Sequence, residues 1–259
     1  MFNSRFIPYA TLTIIFAITL SAPVLSPYDP MQTNIASSLT PPTYKHILGT
    51  DLLGRDIFSR LIYGGRQSLV IATIATIIAV ICGMVIGMVA AWNNKLLSYV
   101  AYGIIDALLA IPVIVVALVI LTALGQGSWQ IALATGIAYI GAFARMTQSS
   151  IMSVRDAEFI EGARASGATS IYILIVHVIP TTVPVLAKYS VIIFSYSLIT
   201  SAALSFLGLS GELGVPDWGT MLAEGRRVLT QAPWISIASG SILTVTVLCV
   251  TLLFDSFDH

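Results

Sequence analysis

Charge is what this chain has least of. Asp, Glu, Lys and Arg together make up 9% of its 259 residues, and the formal net charge is zero. A water-soluble domain carries about a quarter of such residues. A chain that is 57% hydrophobic, with a mean hydropathy of +0.92, is therefore read as an integral membrane protein. Zero net charge offers no basic surface for a nucleic acid, and none is expected as a partner. Cysteine is nearly absent: Cys82 and Cys249 fall in apolar runs without CxxC spacing, and both are expected as small buried hydrophobes. The histidines at 46, 177 and 259 are too scattered to nominate a metal site. None of Lys45, Lys95 and Lys188 follows a Gly-rich loop, and no HExxH or GxSxG run occurs. The pattern argues against a membrane hydrolase or a metalloenzyme.

What is present is apolar sequence in long runs. About 20 apolar residues in a helix cross the hydrocarbon core, because lipid cannot satisfy unpaired backbone groups. Six stretches qualify: Ile7 to Leu25, Ser68 to Trp92, Leu96 to Leu124, Ile131 to Ile151, Val183 to Leu209, and Trp234 to Phe254. The first is too long for a signal-peptide core and lacks a cleavage pattern, so it is expected as an uncleaved span. An all-α fold of six transmembrane helices follows. Residues 1–67 hold the first helix and an outer segment, and 68–259 form a five-helix core. Gly83-x3-Gly87, Gly136 with Ala132 and Ile140, and Ser201-Ala202-Ala203 are small-residue steps expected to serve helix packing.

Three polar connections interrupt the spans: Ser26 to Gln67, Ser153 to Thr182, and Ser210 to Pro233, the last with Trp218 and the nearby Trp234 as expected interfacial aromatics. Six spans put both termini on one side, with the second connection, opposite the first and third. The positive-inside rule cannot orient this arrangement. Arg5, Lys95, Arg145, Arg155, Arg164 and Lys188 fall on one side, and Lys45, Arg55, Arg60, Arg66, Arg226 and Arg227 on the other.

Asp106 is the one acid well inside a span, roughly 15 Å along its helix at 1.5 Å per residue. A charge at depth needs protein or water around it and usually a partner. A structural pairing with Arg145 is favoured over a proton relay, since no second titratable group shares its face. Pro112 is expected to kink the same span.

The second connection is the most distinctive. Asp156 to Ser166 reads as a short helix with Ala157, Ile160, Ala163 and Arg164 on one stripe, and Glu158 and Glu161 near its positive end. Gly167 suits its C-terminal stop. Ser170 is expected to cap a second helical run, Ile171 to Ile179, ended by Pro180. The residue pattern leaves two readings open, a docking knob for another protein and a plain interfacial loop.

Here the sequence resembles a known family. Glu161-Gly162-Ala163-x3-Gly167-x12-Pro180 is similar to the EAA loop of ABC-importer permeases, E-A-A-x3-G-x9-I-x-L-P, with Gly162 for the second Ala, His177 for Ile and Ile179 for Leu. His at that place resembles the dipeptide/oligopeptide/nickel branch. His46-Ile47-Leu48-Gly49-Thr50-Asp51-Leu52-Leu53-Gly54-Arg55-Asp56-Ile57-Phe58-Ser59-Arg60, then Tyr63-Gly64-x-Arg66-x-Ser68-Leu69, resembles another signature of that branch. So do Leu204 to Leu209, Pro216 to Leu222, and Asp106 to Pro112; the Thr50–Asp56 block is that of the C-type subunit.

The resemblance implies a type I importer permease for peptides, with nickel or a metal chelator as the alternative and an ion-coupled transporter using Asp106 as the rival from another class. It implies an inner-membrane location in a bacterium or archaeon, with both termini cytoplasmic. Glu161, Gly162, Ala163, Arg164, Gly167, His177 and Pro180 would couple to an ATPase. Asp51, Arg55, Asp56, Asp217 and Trp218 would dock a binding protein or form an outer gate. The implied partners are a related second permease, two ATPase subunits that carry the ATP and Mg, and a solute-binding protein. No cofactor or catalytic residue is implied on this chain.

Overall fold

A computed structural model describes residues 6–91, 95–211 and 214–256; Arg5, Trp92 and His259, used above, lie outside them. The elements are α1 (Phe6–Leu20), α2 (Ala22–Leu25), α3 (Ile57–Ala91), α4 (Lys95–Ala110), α5 (Val113–Leu124) and α6 (Ser128–Arg155). They continue with α7 (Glu158–Ala165), α8 (Ser170–Ile173), α9 (Ile179–Phe206), α10 (Trp218–Arg226) and α11 (Pro233–Ser256). Among the described residues there is no β-strand, only an isolated bridge between Thr50 and Asp56.

Helical segments stand at all six expected positions, with different lengths and polarity. Three are long and apolar enough to cross a membrane: α3, the run from Ser170 to Phe206, and α11 as far as Phe254. The expected third span is broken instead of kinked. α4 and α5 meet the same test only together, and they bend by 97° at Ile111 and Pro112. Pro112 lacks the N–H that would continue α4, and its fixed φ starts α5 afresh. α1 is shorter, 15 residues, and breaks at Ser21 before Pro23 at the start of α2. α6 is long, 28 residues, but too polar to pass on composition. Its polar residues Thr135, Thr147, Gln148 and Ser150 are turned inward and buried.

α6 is the hub. Its Ala132, Ala134 and Ala138 pack with Ile71 of α3, Ala117 and Leu121 of α5, and Leu204 of α9. The small residues of α3 set the spacing: a Cβ on Gly83 would lie 2.8 Å from that of Phe143, and one on Gly87 2.5 Å from the Ala144 carbonyl oxygen. Those steps serve packing, as the sequence suggested. Leu12 of α1 packs against Cys249 and Val250 of α11, and Ile15 joins Leu69 and Ala72 of α3, Leu198 of α9 and Trp218 in a buried cluster. Cys249 is buried as expected, but Cys82 is exposed on the outer side of α3.

Two boundaries differ from the hydropathy pattern. α3 starts at Ile57, inside the first polar connection, because Asp56 caps it: its carboxylate accepts the Ser59 N–H at 2.8 Å and the Ser59 hydroxyl at 2.7 Å. Helix also runs unbroken through Pro180, from Ser170 to Phe206 over 37 residues. A π-helical stretch, Leu174–Val178, precedes Pro180, and the Ile179 N–H reaches back to the Leu174 carbonyl. That wider turn relieves the clash between a proline ring and the preceding carbonyl. Pro180 therefore does not end the run. Nor is Ser170 the cap: Thr169 is, accepting the Tyr172 N–H at 3.3 Å.

α10 lies within the third connection, packed on α9 and α11. Gly219 makes that contact possible, since a Cβ there would lie 2.2 Å from the Ala202 carbonyl oxygen. Gly219→Ala is expected to cost about 1–3 kcal/mol by overpacking. Thermal unfolding of the purified chain in detergent checks this, and an unchanged midpoint would rule out the close approach as a constraint.

Candidate coupling, outer-face and intramembrane sites

The short helix α7 is amphipathic and half seated. Ile160 is buried among Ala91, Ile151, Ile173 and Val178, with Ala157 and Ala163 packed alongside. Glu158 and Glu161 lie in its first turn and Arg164 in its last, each on the side that suits the helix dipole. The end is closed on both sides. The Gly167 N–H donates to the Arg164 carbonyl at 3.0 Å, and the Ala168 N–H to the Ala163 carbonyl at 3.1 Å. This double closure requires a left-handed residue, and Gly167 has φ +84°. Phe159, Glu161, Gly162, Arg164, Ala165 and Ser166 remain exposed, and nothing lies within 4 Å of where a Gly162 side chain would start.

His177 is brought to the same place. Its ring lies 6.4 Å from that of Phe159 on α7 and 6.0 Å edge-on from that of Tyr172. Pro180 is on the helix that follows, one turn further in. Phe159 and Thr169 were missed by sequence reasoning; the Thr169 cap was legible as a hydroxyl just ahead of an apolar helical run.

The outer residues are brought together as well, but inward. Asp51 accepts the Leu53 and Arg55 N–H groups at 2.8 and 2.9 Å, and its other oxygen faces the Arg55 Nε at 2.6 Å and the Arg60 Nε at 3.5 Å. From the opposite side, Glu224 on α10 takes Arg55 at 3.1 Å and Arg60 at 2.9 Å. Two guanidinium groups thus lie between two carboxylates, and all but Glu224 are buried.

Asp56 caps α3 and holds the His46 Nδ1 at 2.9 Å. Asp217 caps α10, accepting the Gly219 and Thr220 N–H groups in a reciprocal capping box. Burial pushes its carboxyl above the usual range, opposed in part by the Thr220 and Gly219 donors. Trp218 is fully buried; its Nε1 donates to the Leu61 carbonyl and its backbone N–H to Ser68.

Asp51, Arg55, Asp56, Asp217 and Trp218, expected to dock a binding protein or form an outer gate, are thus buried and do not form an open face. They are spent on each other and on helix ends, and hold the outer segment against α3 and α10. Of the two expected interfacial aromatics, Trp218 is buried, and the half-buried Trp234 donates its Nε1 to the Thr50 carbonyl at 3.3 Å. The side chains this frame exposes are Tyr44, Ile47, Leu52 and Leu53, which charge-led reading overlooked.

In the bundle, Arg145 on α6 forms an ion pair with Asp106 on α4, as expected. Gly141, one turn before Arg145, lets α4 come close: a Cβ there would lie 2.7 Å from that of Leu108. The pair is not enclosed by this chain, however. The side chains of Asp106 and Arg145 are 64% and 42% exposed.

A bundle with several helices long and apolar enough to cross a membrane, and an exposed amphipathic helix on the loop before the longest of them, defines a membrane-embedded subunit. Residues 79–259 match the family described as binding-protein-dependent transport system inner membrane component, and the chain belongs to that family. It is 33% identical over 250 residues to the di/tripeptide transport system permease protein DppC of Pseudomonas aeruginosa, covering 94% of this chain and 82% of the relative. It is also 33% identical over 243 residues to the glutathione transport system permease protein GsiD of Pectobacterium atrosepticum, covering 93% and 81%.

The fold is that of solved ABC-importer permeases. A chain of the MetNI methionine ABC transporter aligns with a TM-score of 0.64 at 17% identity, covering 76% of this chain and 94% of the other. An amino acid ABC transporter aligns equally well at 22% identity, covering 77% and 93%. The protein is thus a permease component of an ABC importer in the inner membrane, and the ion-coupled alternative is not favoured.

Proposed function

We propose that this chain is one of two related permeases through which an ATP-driven importer passes short peptides delivered by a solute-binding protein. The exposed α7, with its bare Gly162 backbone, carries the proposal: it is a surface shaped to enter a partner's cleft, on a loop that resembles the EAA loop. Glu161, Gly162, Ala163, Arg164 and Gly167 form the coupling helix. His177 braces it through Phe159, and Pro180 lies where the helix enters the membrane. ATP and Mg are bound by the ATPase subunits, and this chain performs no hydrolysis. The loop and both termini are cytoplasmic; residues 1–67 hold the first transmembrane helix and an extracytoplasmic segment, and residues 68–259 form the five-helix core. The relatives' substrates, di/tripeptides and glutathione, support peptides over nickel or a metal chelator.

Reconstitution of the whole importer in vesicles with its binding protein tests this. Uptake of labelled di- and tripeptides is expected to require ATP and binding protein and to survive collapse of the proton gradient. Nickel uptake without peptide uptake would overturn the substrate. ATP-independent uptake would overturn the mechanism.

A further inference from the structure

We propose that the Asp106–Arg145 pair lines the transport path and takes the two end charges of a zwitterionic peptide, the ammonium at Asp106 and the carboxylate at Arg145. The assignment builds on the peptide import proposed above.

Depth comes first. Asp106 lies eleven residues beyond Lys95 on α4, and Arg145 ten residues before Arg155 on α6, so both stand about 15 Å from those helix ends at 1.5 Å per residue. Two separate helices thus set the pair at about the same distance from the Lys95 and Arg155 ends. Charged side chains at that depth do not face lipid; they face protein or water. Yet in this chain both are substantially exposed, on a face that the rest of the bundle leaves open.

Their hydrogen-bonding capacity is also underused. Arg145 gives one nitrogen to Asp106 and another to the Gln148 Oε1 at 3.2 Å. A guanidinium has five donors, and a carboxylate about four acceptor sites. Among the described residues, Arg145 is the partner of Asp106. The remainder require water or a polar occupant.

A second, independent observation lies on the same helix. The α4–α5 break at Ile111 and Pro112, with its 97° bend, comes one turn after Asp106. A broken span leaves backbone carbonyls without helical partners, and irregular backbone at membrane depth is tolerated where it is covered by protein or lines a watery cavity. In secondary transporters, the free backbone groups of discontinuous helices hold polar cargo near mid-membrane, and the same physics is available here.

The pair itself suits such cargo. One carboxylate and one guanidinium side by side are neutral together, so the empty path carries no net charge. A peptide with free termini presents the complementary pair and can replace each member's partner without stranding either charge. A cargo with one charged end would leave one member unpaired.

The test uses the assembled importer in nanodiscs and a photoreactive dipeptide with free termini, bound without the binding protein so that delivery does not decide the outcome. Cross-links are expected on α4 and α6, competed by an unlabelled dipeptide and not by its N-acetylated, C-amidated form. Asp106→Asn and Arg145→Gln are each expected to weaken capture about tenfold or more, the scale of a hydrogen bond to a charged group. Asp106→Asn should also abolish the preference for a free amino terminus, and Arg145→Gln that for a free carboxylate. The reversed pair Asp106→Arg with Arg145→Asp guards against simple misfolding. It should restore assembly but not the wild-type KM for uptake, whereas a purely structural pair would be rescued in both. Wild-type capture with unchanged variants, or cross-linking of position 106 to the second permease instead, overturns the path assignment alone. Failure of the wild-type importer to take up any peptide overturns peptide import along with it.

Discussion

Replacing Gly162 with tryptophan is expected to abolish uptake while leaving the chain folded, inserted and paired with the second permease. The reason is local. A side chain at 162 meets nothing within 4 Å, so even a large ring costs the isolated chain little. What it fills is open space that, in the proposed coupling, an ATPase cleft would occupy. Coupling energies between sites run to roughly 3 kcal/mol, so losing the seat should lower ATP-driven uptake by about two orders of magnitude. Gly162→Ala is the control, expected to be near wild type because it adds one methyl to open space. Gly167→Ala separates coupling from fold. Its φ of +84° disfavours any Cβ, so it should destabilise α7 by about 1 kcal/mol and loosen the loop itself. Uptake, ATPase activity and co-purification with the ATPases are the measurements. Wild-type uptake by the Gly162→Trp importer would remove α7 from the coupling surface.

Asp51→Ala carries the largest expected cost in stability. It strips one wall from two buried guanidinium groups and frees the N–H groups of Leu53 and Arg55. Removing one partner from a buried ion-pair group costs about 3–5 kcal/mol, because the remaining charge stays buried without compensation. For a chain of this size that corresponds to a fall in unfolding midpoint of about 10 °C. Glu224→Ala should cost less, since Glu224 is partly exposed and water can take its place. Thermal unfolding in detergent ranks the two variants. A midpoint for Asp51→Ala equal to wild type would show that the network is not a structural clamp.

The helical, six-segment character of the bundle was legible because apolar runs of about 20 residues have few alternatives in lipid. The polar loop carrying α7 was legible as a distinct element because its polarity interrupts them; its coupling role rests on the resemblance. What misled was local chemistry acting against the pattern. The Asp56 cap drew α3 back into a polar stretch, and the π turn carried helix through Pro180. Asp51, Arg55 and Arg60 read as surface because charges in so apolar a chain are assigned there first. Their neutralising partner, Glu224, stands 164 residues beyond Arg60, a distance no local periodicity spans. The Asp106–Arg145 pairing was foreseen from the cost of an unpaired acid at depth, but its exposure depends on which faces the neighbouring helices cover.

The helix from Ser170 to Phe206 has a mechanical consequence. It begins beside α7, at the Thr169 cap, and its far end holds the Ala202 carbonyl against Gly219 of α10. At 1.5 Å per residue, 37 residues make a rod about 55 Å long. A displacement imposed at the end beside α7 would therefore reach the end at α10 along one continuous run of helix, without a relay of side chains. The two ends are joined by a single piece of backbone, and its compliant points are the π turn at Leu174–Val178 and Pro184, which removes a hydrogen bond inside α9.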